Sequence, residues 1–255
     1  MNIGFIGTGE IAAAMIHGLE HKGHAIFVSE RNAHVAADLA AEVEGVAIAP
    51  NQSVLDQSDV VFLCLMADVA REILPDLNFR EDQKIISAMV DVDLEALATL
   101  CAPATEIAIT IPMPFIAKGG CPLPVFPESE ALRDIFGADN HIITLGEEAA
   151  MNPHFAASAL SSALFSMLDT GADWLAAHTG DARSAEAYVA SLFAGYFRHL
   201  ATDGDGRFSE VIASLSTTGG LNATLREHLK REGAYDALLS GLDGFEERLG
   251  LRPRL

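Results

Sequence analysis

A chain of 255 residues with 50% hydrophobic content has enough apolar material for one large core or two smaller ones, which excludes a disordered polypeptide. Its formal charge of -20, from 16 Lys and Arg against 36 Asp and Glu, repels phosphate backbones and anionic lipid, so neither nucleic acid nor a membrane surface is expected as a partner. A small anionic substrate or cofactor stays open, because helix N-termini and backbone amides bind anions without net positive charge.

Met1–Ile6 runs straight into an apolar strand pattern with no basic or cleavable stretch, and no segment approaches membrane-spanning length; a cytoplasmic location is expected. Strands are predicted at Asn2–Ile6, Ala25–Ser29, Val46–Ile48, Val60–Leu65, Lys84–Ser87, Glu106–Thr110 and His141–Leu145. Helical patterns fall between them at Glu10–Lys22, Asn32–Glu44, Val69–Leu74 and Leu94–Cys101. This alternation predicts an α/β Rossmann domain over residues 1–150, a doubly wound parallel sheet with right-handed crossovers.

Residues 151–255 change character, because β-branched runs disappear and Ala/Leu/Ser/Phe segments replace them. An all-helical dimerisation domain is predicted, with helices at Asn152–His178, Ala182–Thr202, Phe208–Ser214, Asn222–Glu232 and Tyr235–Leu249. The breaks fall at Thr179–Asp181, Asp203–Gly206, Thr218–Gly220 and Gly233. Leu160–Leu175 is too apolar for a solvated helix, so another helix or a second subunit should cover it, and a homodimer or higher homo-oligomer is expected.

The three cysteines, Cys64, Cys101 and Cys121, are odd in number and lack Cys-x-x-Cys spacing; they read as reduced thiols, not a disulfide framework or zinc site. His17, His21 and His24 lie close in sequence without a matching carboxylate or cysteine pattern, and no metal site is expected.

The richest stretch is Ile3-Gly4-Phe5-Ile6-Gly7-Thr8-Gly9-Glu10-Ile11-Ala12, a strand meeting a glycine turn that opens a helix. Gly7 permits the tight turn, Gly9 lets backbone approach a pyrophosphate, and the small Ala12 allows close helix-to-strand packing, so Gly7, Thr8, Gly9, Glu10 and Ile11 are cofactor-binding candidates. The second strand ends in Ser29-Glu30-Arg31-Asn32, about twenty residues further on, where Rossmann domains read the adenosine ribose. A Glu30 carboxylate suits the ribose hydroxyls of NAD, whereas Ser29, Arg31 and Asn32 are donors suited to the 2′-phosphate of NADP. NAD and NADP both stay open, with Arg31 tilting the balance toward NADP.

A second landmark is Ser216-Thr217-Thr218-Gly219-Gly220-Leu221-Asn222-Ala223, followed by Leu229, Glu232, Gly233 and a closing helix to Leu249. With the glycine turn, it resembles the pyrroline-5-carboxylate reductase family and its Ser-Pro-Gly-Gly-x-Thr segment. The resemblance implies an interlocked helical dimer whose glycine loop meets the substrate carboxylate near a nicotinamide. It makes Thr218, Gly219, Gly220 and Asn222 the substrate-holding candidates, the two glycines by backbone N–H groups and Asn222 by its amide. It also draws Leu65 and Met66 after the fourth strand, and Pro112 and Pro114 after the sixth, to the cofactor. This chain departs from the family pattern with Met66-Ala67 for Lys-Pro, Thr110-Ile111-Pro112-Met113-Pro114 for Met-Pro-Asn-Thr-Pro, Asn222 for a substrate-binding Thr, and no Ser-Gly-Ser-Gly-Pro-Ala-Tyr helix start. An intact cofactor turn with altered ligand loops implies retained hydride chemistry on an imine or oxo acid of its own.

No strong general acid stands out. Lys118 lies in a Gly-rich loop expected near the cleft, and Asp169, Asp173 and His178 share a helical face around Trp174. Alternatives are a dehydrogenase acting on a C=O substrate or linked to a deazaflavin, and a non-catalytic dinucleotide-binding regulator.

Overall fold

The computed structural model describes residues 1–200 and 205–251, which divide into two compact units, Met1–Phe155 and Ala156–Leu255. The predicted positions Ala201, Thr202, Asp203 and Gly204 lie outside the described residues.

The first unit is built on an eight-stranded sheet: β1 (Asn2–Ile6), β2 (Ala25–Ser29), β3 (Val46–Ala49), β4 (Val60–Leu63), β5 (Lys84–Ser87), β6 (Glu106–Thr110), β7 (Pro122–Phe126) and β8 (His141–Thr144). Their order in the sheet is β3-β2-β1-β4-β5-β6-β7-β8. The first six strands are parallel and reverse their winding between β1 and β4, the switch point at which doubly wound sheets bind ligands.

β7 corrects the all-parallel expectation, since it pairs antiparallel with β6 and parallel with β8. Pro122 and Pro124 hid it from the sequence reading, because proline cannot donate to a ladder. The strand survives because its prolines face the side where only Ile109–Phe126 and Thr110–Val125 pair; the Pro124 carbonyl there accepts from the Thr110 hydroxyl at 2.9 Å.

Around the sheet run α1 (Glu10–His17), α2 (Ala33–Glu42), α3 (Asn51–Gln57), α4 (Ala67–Ile73), α5 (Leu94–Leu100) and α6 (Glu130–Phe136). α1 stops at Gly18, short of the predicted Lys22, and the Asn32 side chain caps α2 by accepting the Val35 amide. α3 and α6 escaped the sequence reading: α3 buries only Val54 and Leu55 among polar neighbours, too few for a visible stripe.

Strand alternation splits the core across the two faces of the sheet. Ile3, Phe5, Phe62 and Ile86 join Met15 and Phe136 on one face, while Ile6, Val61, Leu63 and Ile85 join Leu97 and Met151 on the other. Phe5 stacks on Phe62 at 5.0 Å between ring centroids, and Phe136 meets Phe62 edge-on at 5.8 Å.

α7 (Met151–Ser158) carries the chain from the first unit into the second, whose elements among the described residues are all helical: α8 (Leu160–Thr179), α9 (Ala182–Arg198), α10 (Arg207–Ser214), α11 (Leu221–Arg231), α12 (Ala234–Asp243) and α13 (Glu246–Leu249). Two predicted helices are each divided, the first at Ala159 and the last at Gly244-Phe245. Gly180 ends α8 in the left-handed conformation, and Asp181 caps α9 by accepting the Ser184 amide. α8 packs along α9, yet Leu160, Leu164, Phe165, Met167 and Trp174 stay exposed. No helix among the described residues is long and apolar enough to cross a membrane.

Phe62 sits at the centre of the aromatic cluster, so Phe62→Ala should lower the unfolding free energy by about 3–5 kcal/mol in urea titration, the cost of a large aromatic cavity. A loss under about 1 kcal/mol would mean that the cluster is not tightly packed.

A candidate dinucleotide-binding turn

Gly7 begins the chemistry at the carboxyl end of β1. It has φ +97, and a Cβ there would lie 2.3 Å from the Cys64 carbonyl oxygen and 2.9 Å from Leu65 Cδ2, so only glycine lets β1 turn this close to the end of β4. The buried Gly7 amide donates to Ser29 Oγ at 2.8 Å, and the buried Thr8 hydroxyl donates to the Ser29 carbonyl at 3.4 Å. The turn is thereby tied to the ends of both neighbouring strands, β2 and β4.

Past this anchor the surface opens. Gly9 is exposed, nothing lies within 4 Å of where its Cβ would be, and it is the N-cap of α1 with no side chain capping the helix. The first amides of α1, at Glu10 and Ile11 among others, therefore point from an uncapped, dipole-positive end. Ile11 packs its side chain against the first core cluster, which seats the helix on the sheet.

Glu30, Arg31 and Asn32 follow β2 and are exposed, and among the described residues neither Glu30 nor Arg31 forms an ion pair. Ser29 differs from its sequence reading as a 2′-phosphate donor, because it is 0% exposed and its hydroxyl is engaged by Gly7. The Asn32 Oδ1 is engaged at the α2 cap.

Leu65 is part-buried, and Met66, 77% exposed, begins α4 beside the turn. Pro112 is buried behind β6, whereas Pro114 is exposed. The loop then leaves the ligand end of the sheet: Ala117 Cα lies 3.3 Å from where a Cβ of Gly18 would be, at the far end of the eight-residue α1. Lys118 is consequently about 12 Å, the length of α1, from the level of Gly9, which corrects its expected place near the cleft.

The Thr218–Asn222 loop lies in the second unit. Gly219 takes φ +74, Gly220 is the N-cap of α11 without a side-chain cap, and Thr218, Gly219 and Asn222 are exposed. The Gly220 amide is not free for an anion as expected, because it donates to the Thr217 carbonyl at 2.9 Å and closes the turn. The opening amides of α11 remain. Arg226, which no motif in the sequence singles out, donates to Ser216 Oγ at 2.6 Å and holds the start of the loop.

His178 Nδ1 lies 2.8 Å from the Trp174 carbonyl, and the two rings meet at 4.3 Å between centroids with their planes tilted by 34°. His17 lies 3.8 Å from Glu42 and His21 lies 3.4 Å from Glu20, and no metal-binding cluster exists among the described residues. The cysteines are free, and burial pushes the Cys64 and Cys101 thiols up to about 12.

Residues 2–91 match the family described as NADP oxidoreductase, coenzyme F420-dependent. No curated protein matches the chain by sequence. Among solved structures the chain is similar to the 1-pyrroline-5-carboxylate reductase of Streptococcus pyogenes (21% identity, 98% of each chain, TM-score 0.83). It is similar also to the pyrroline carboxylate reductase of Plasmodium falciparum with NADP bound (14% identity, 97% of this chain and 96% of that one, TM-score 0.81). The pyrroline-5-carboxylate reductase of Coxiella burnetii follows at 18% identity, 98% and 97% coverage and TM-score 0.76. The fold is that of the pyrroline-5-carboxylate reductases, as the sequence resemblance implied.

Two results are expected. Gly7→Ala, with its methyl driven against an immovable carbonyl at positive φ, should lower stability by roughly 1–3 kcal/mol and abolish dinucleotide binding in calorimetry. A thiol that ionises near 12 is almost wholly protonated at pH 8, so Cys101, 0% exposed, should resist iodoacetamide in the native protein and react once guanidinium unfolds it.

Proposed function

We propose that this chain is an NAD(P)H-dependent oxidoreductase that reduces the C=N bond of a small carboxylated imine of the pyrroline-5-carboxylate type. The observation that carries the reading is the turn after β1: a glycine bend anchored on both sides, open above Gly9, at the switch point of a doubly wound sheet, with an uncapped helix behind it. The NADP bound to the P. falciparum reductase of the same fold supports the choice of cofactor.

Gly7, Thr8, Gly9, Glu10 and Ile11 form the diphosphate end, Glu30 and Arg31 receive the adenosine ribose, and Leu65, Met66, Pro112 and Pro114 shape the wall beside the dinucleotide. A reduced nicotinamide supplies the hydride, and a protonated C=N is electrophilic enough that the protein mainly positions its reactants. The Thr218–Asn222 loop fits a carboxylate through the amides opening α11 and the Asn222 side chain, with Gly219 and Gly220 shaping the bend.

The helical unit is further proposed to pair with a second copy. A groove of about 670 Å³ between α8 and α9 is lined by Leu164, Phe165, Leu168, Val189, Phe193 and Phe197. Phe165 and Phe197 are 68% and 52% exposed, an apolar surface that a lone subunit would leave in water. A homodimer in sedimentation equilibrium is expected, and Phe165→Glu should shift it toward monomer.

The test is loss of nicotinamide absorbance when the protein is mixed with NADPH or NADH and a panel of cyclic imino acids and 2-oxo acids. Turnover of a cyclic imino acid is expected, and Arg31→Ala should weaken NADPH roughly tenfold while sparing NADH, the worth of a charge-assisted phosphate contact. Failure to bind either coenzyme would overturn the reading. A second reading, hydride exchange between NADP and a deazaflavin, is favoured by the family match over residues 2–91. Reduction of a deazaflavin by NADPH with no activity on any imine would select it.

A further inference from the structure

Ser29 sits where Rossmann domains meet the adenosine ribose, immediately before the exposed Glu30 and Arg31, and its residue type suits a phosphate contact. Its surroundings point elsewhere. The side chain is 0% exposed, and its hydroxyl accepts the amide of Gly7 at 2.8 Å. Its carbonyl accepts the hydroxyl of Thr8, itself only 2% exposed, at 3.4 Å. One residue of β2 thus receives hydrogen bonds from two successive residues of the turn.

The Gly7 amide is buried, where a donor without a partner is disfavoured, and the sole partner the structure gives it is Ser29 Oγ. On the other side the Cys64 carbonyl leaves no room for a side chain at Gly7. The bond to Ser29 therefore ties the turn to β2, and beyond it Gly9 is exposed and α1 begins without a side-chain cap.

We propose that Ser29 is a positioning residue for the dinucleotide and not a contact of its 2′-phosphate: the buried hydroxyl holds the Gly7 amide, which orients the diphosphate-binding amides of Gly9 and α1, and leaves choice between NADH and NADPH to Glu30 and Arg31. The inference rests on the reading of this turn as a nicotinamide dinucleotide site. A positioning role acts on the diphosphate, which both coenzymes share, so both affinities must fall together. A phosphate contact acts on NADPH alone.

The experiment compares the wild type with Ser29→Ala and Ser29→Cys by calorimetry with NADPH, NADH and ADP-ribose, which carries the diphosphate but no 2′-phosphate, alongside thermal unfolding. Cysteine keeps a weak acceptor of similar size at the same place, so that variant folds even where alanine, leaving the amide unpartnered, does not. For Ser29→Ala, all three ligands should weaken in the same proportion, by roughly three- to tenfold, the net worth of one hydrogen bond, with the NADPH-to-NADH ratio unchanged. Ser29→Cys should fall between it and the wild type. In nitrogen-15 spectra the Gly7 amide should exchange slowly in the wild type and faster in both variants.

Selective loss of NADPH binding would make Ser29 a phosphate ligand and overturn the inference, as would unchanged affinity for all three ligands. A wild-type protein that binds neither coenzyme would instead remove the dinucleotide site itself, and this inference with it.

Discussion

The turn between β1 and α1 depends on steric exclusion at one atom. No side chain fits between Gly7 and the Cys64 carbonyl, and the Gly7 amide has a single acceptor, so backbone from β1, β2 and β4 converges within a few ångströms at the point where the sheet reverses its winding. The rest of the first unit serves this convergence. Strand alternation sends Phe5 and Phe62 to one face and Ile6 and Leu63 to the other, and the packed layers on both faces hold the three strand ends in register.

The helical unit obeys a different constraint. Its helices carry more apolar surface than their mutual packing covers: α8 and α9 leave a groove lined by phenylalanine, leucine and valine, and α10 to α12 expose Phe208, Ile212, Leu221, Leu225 and Tyr235. Surface of this kind on a strongly acidic chain is unusual for a lone subunit, since charge repels neighbours while apolar area attracts them. The pairing with a second copy proposed above would resolve the conflict in favour of the apolar faces, provided the contact excluded the carboxylates.

The chemistry proposed for the chain is economical in side chains. Cys64 and Cys101 are held protonated by burial, and Lys118 lies at the far end of α1. What the turn and the α11 opening offer instead is backbone amides, which bind anions by geometry and survive substitution of the side chains around them.

Sequence by itself was sufficient for whatever is encoded in short-range pattern. The apolar runs of β1, β2, β5 and β6, the Gly7–Ala12 turn, the change to helices near residue 150 and the glycine loop before α11 are local signals, each legible within a dozen residues. Tertiary structure decided whatever depends on a partner distant in sequence. β7 exists because its proline-bearing edge meets little of β6, and α3 because Val54 and Leu55 alone suffice against the sheet. The role of Ser29 is of the same kind, since residue type permits either a ligand contact or an internal bond, and only the approach of Gly7 across 22 residues of chain selects between them. Hydrogen bonds are short-ranged and directional, so a polar side chain's partner is set by folded proximity, which composition and spacing do not contain.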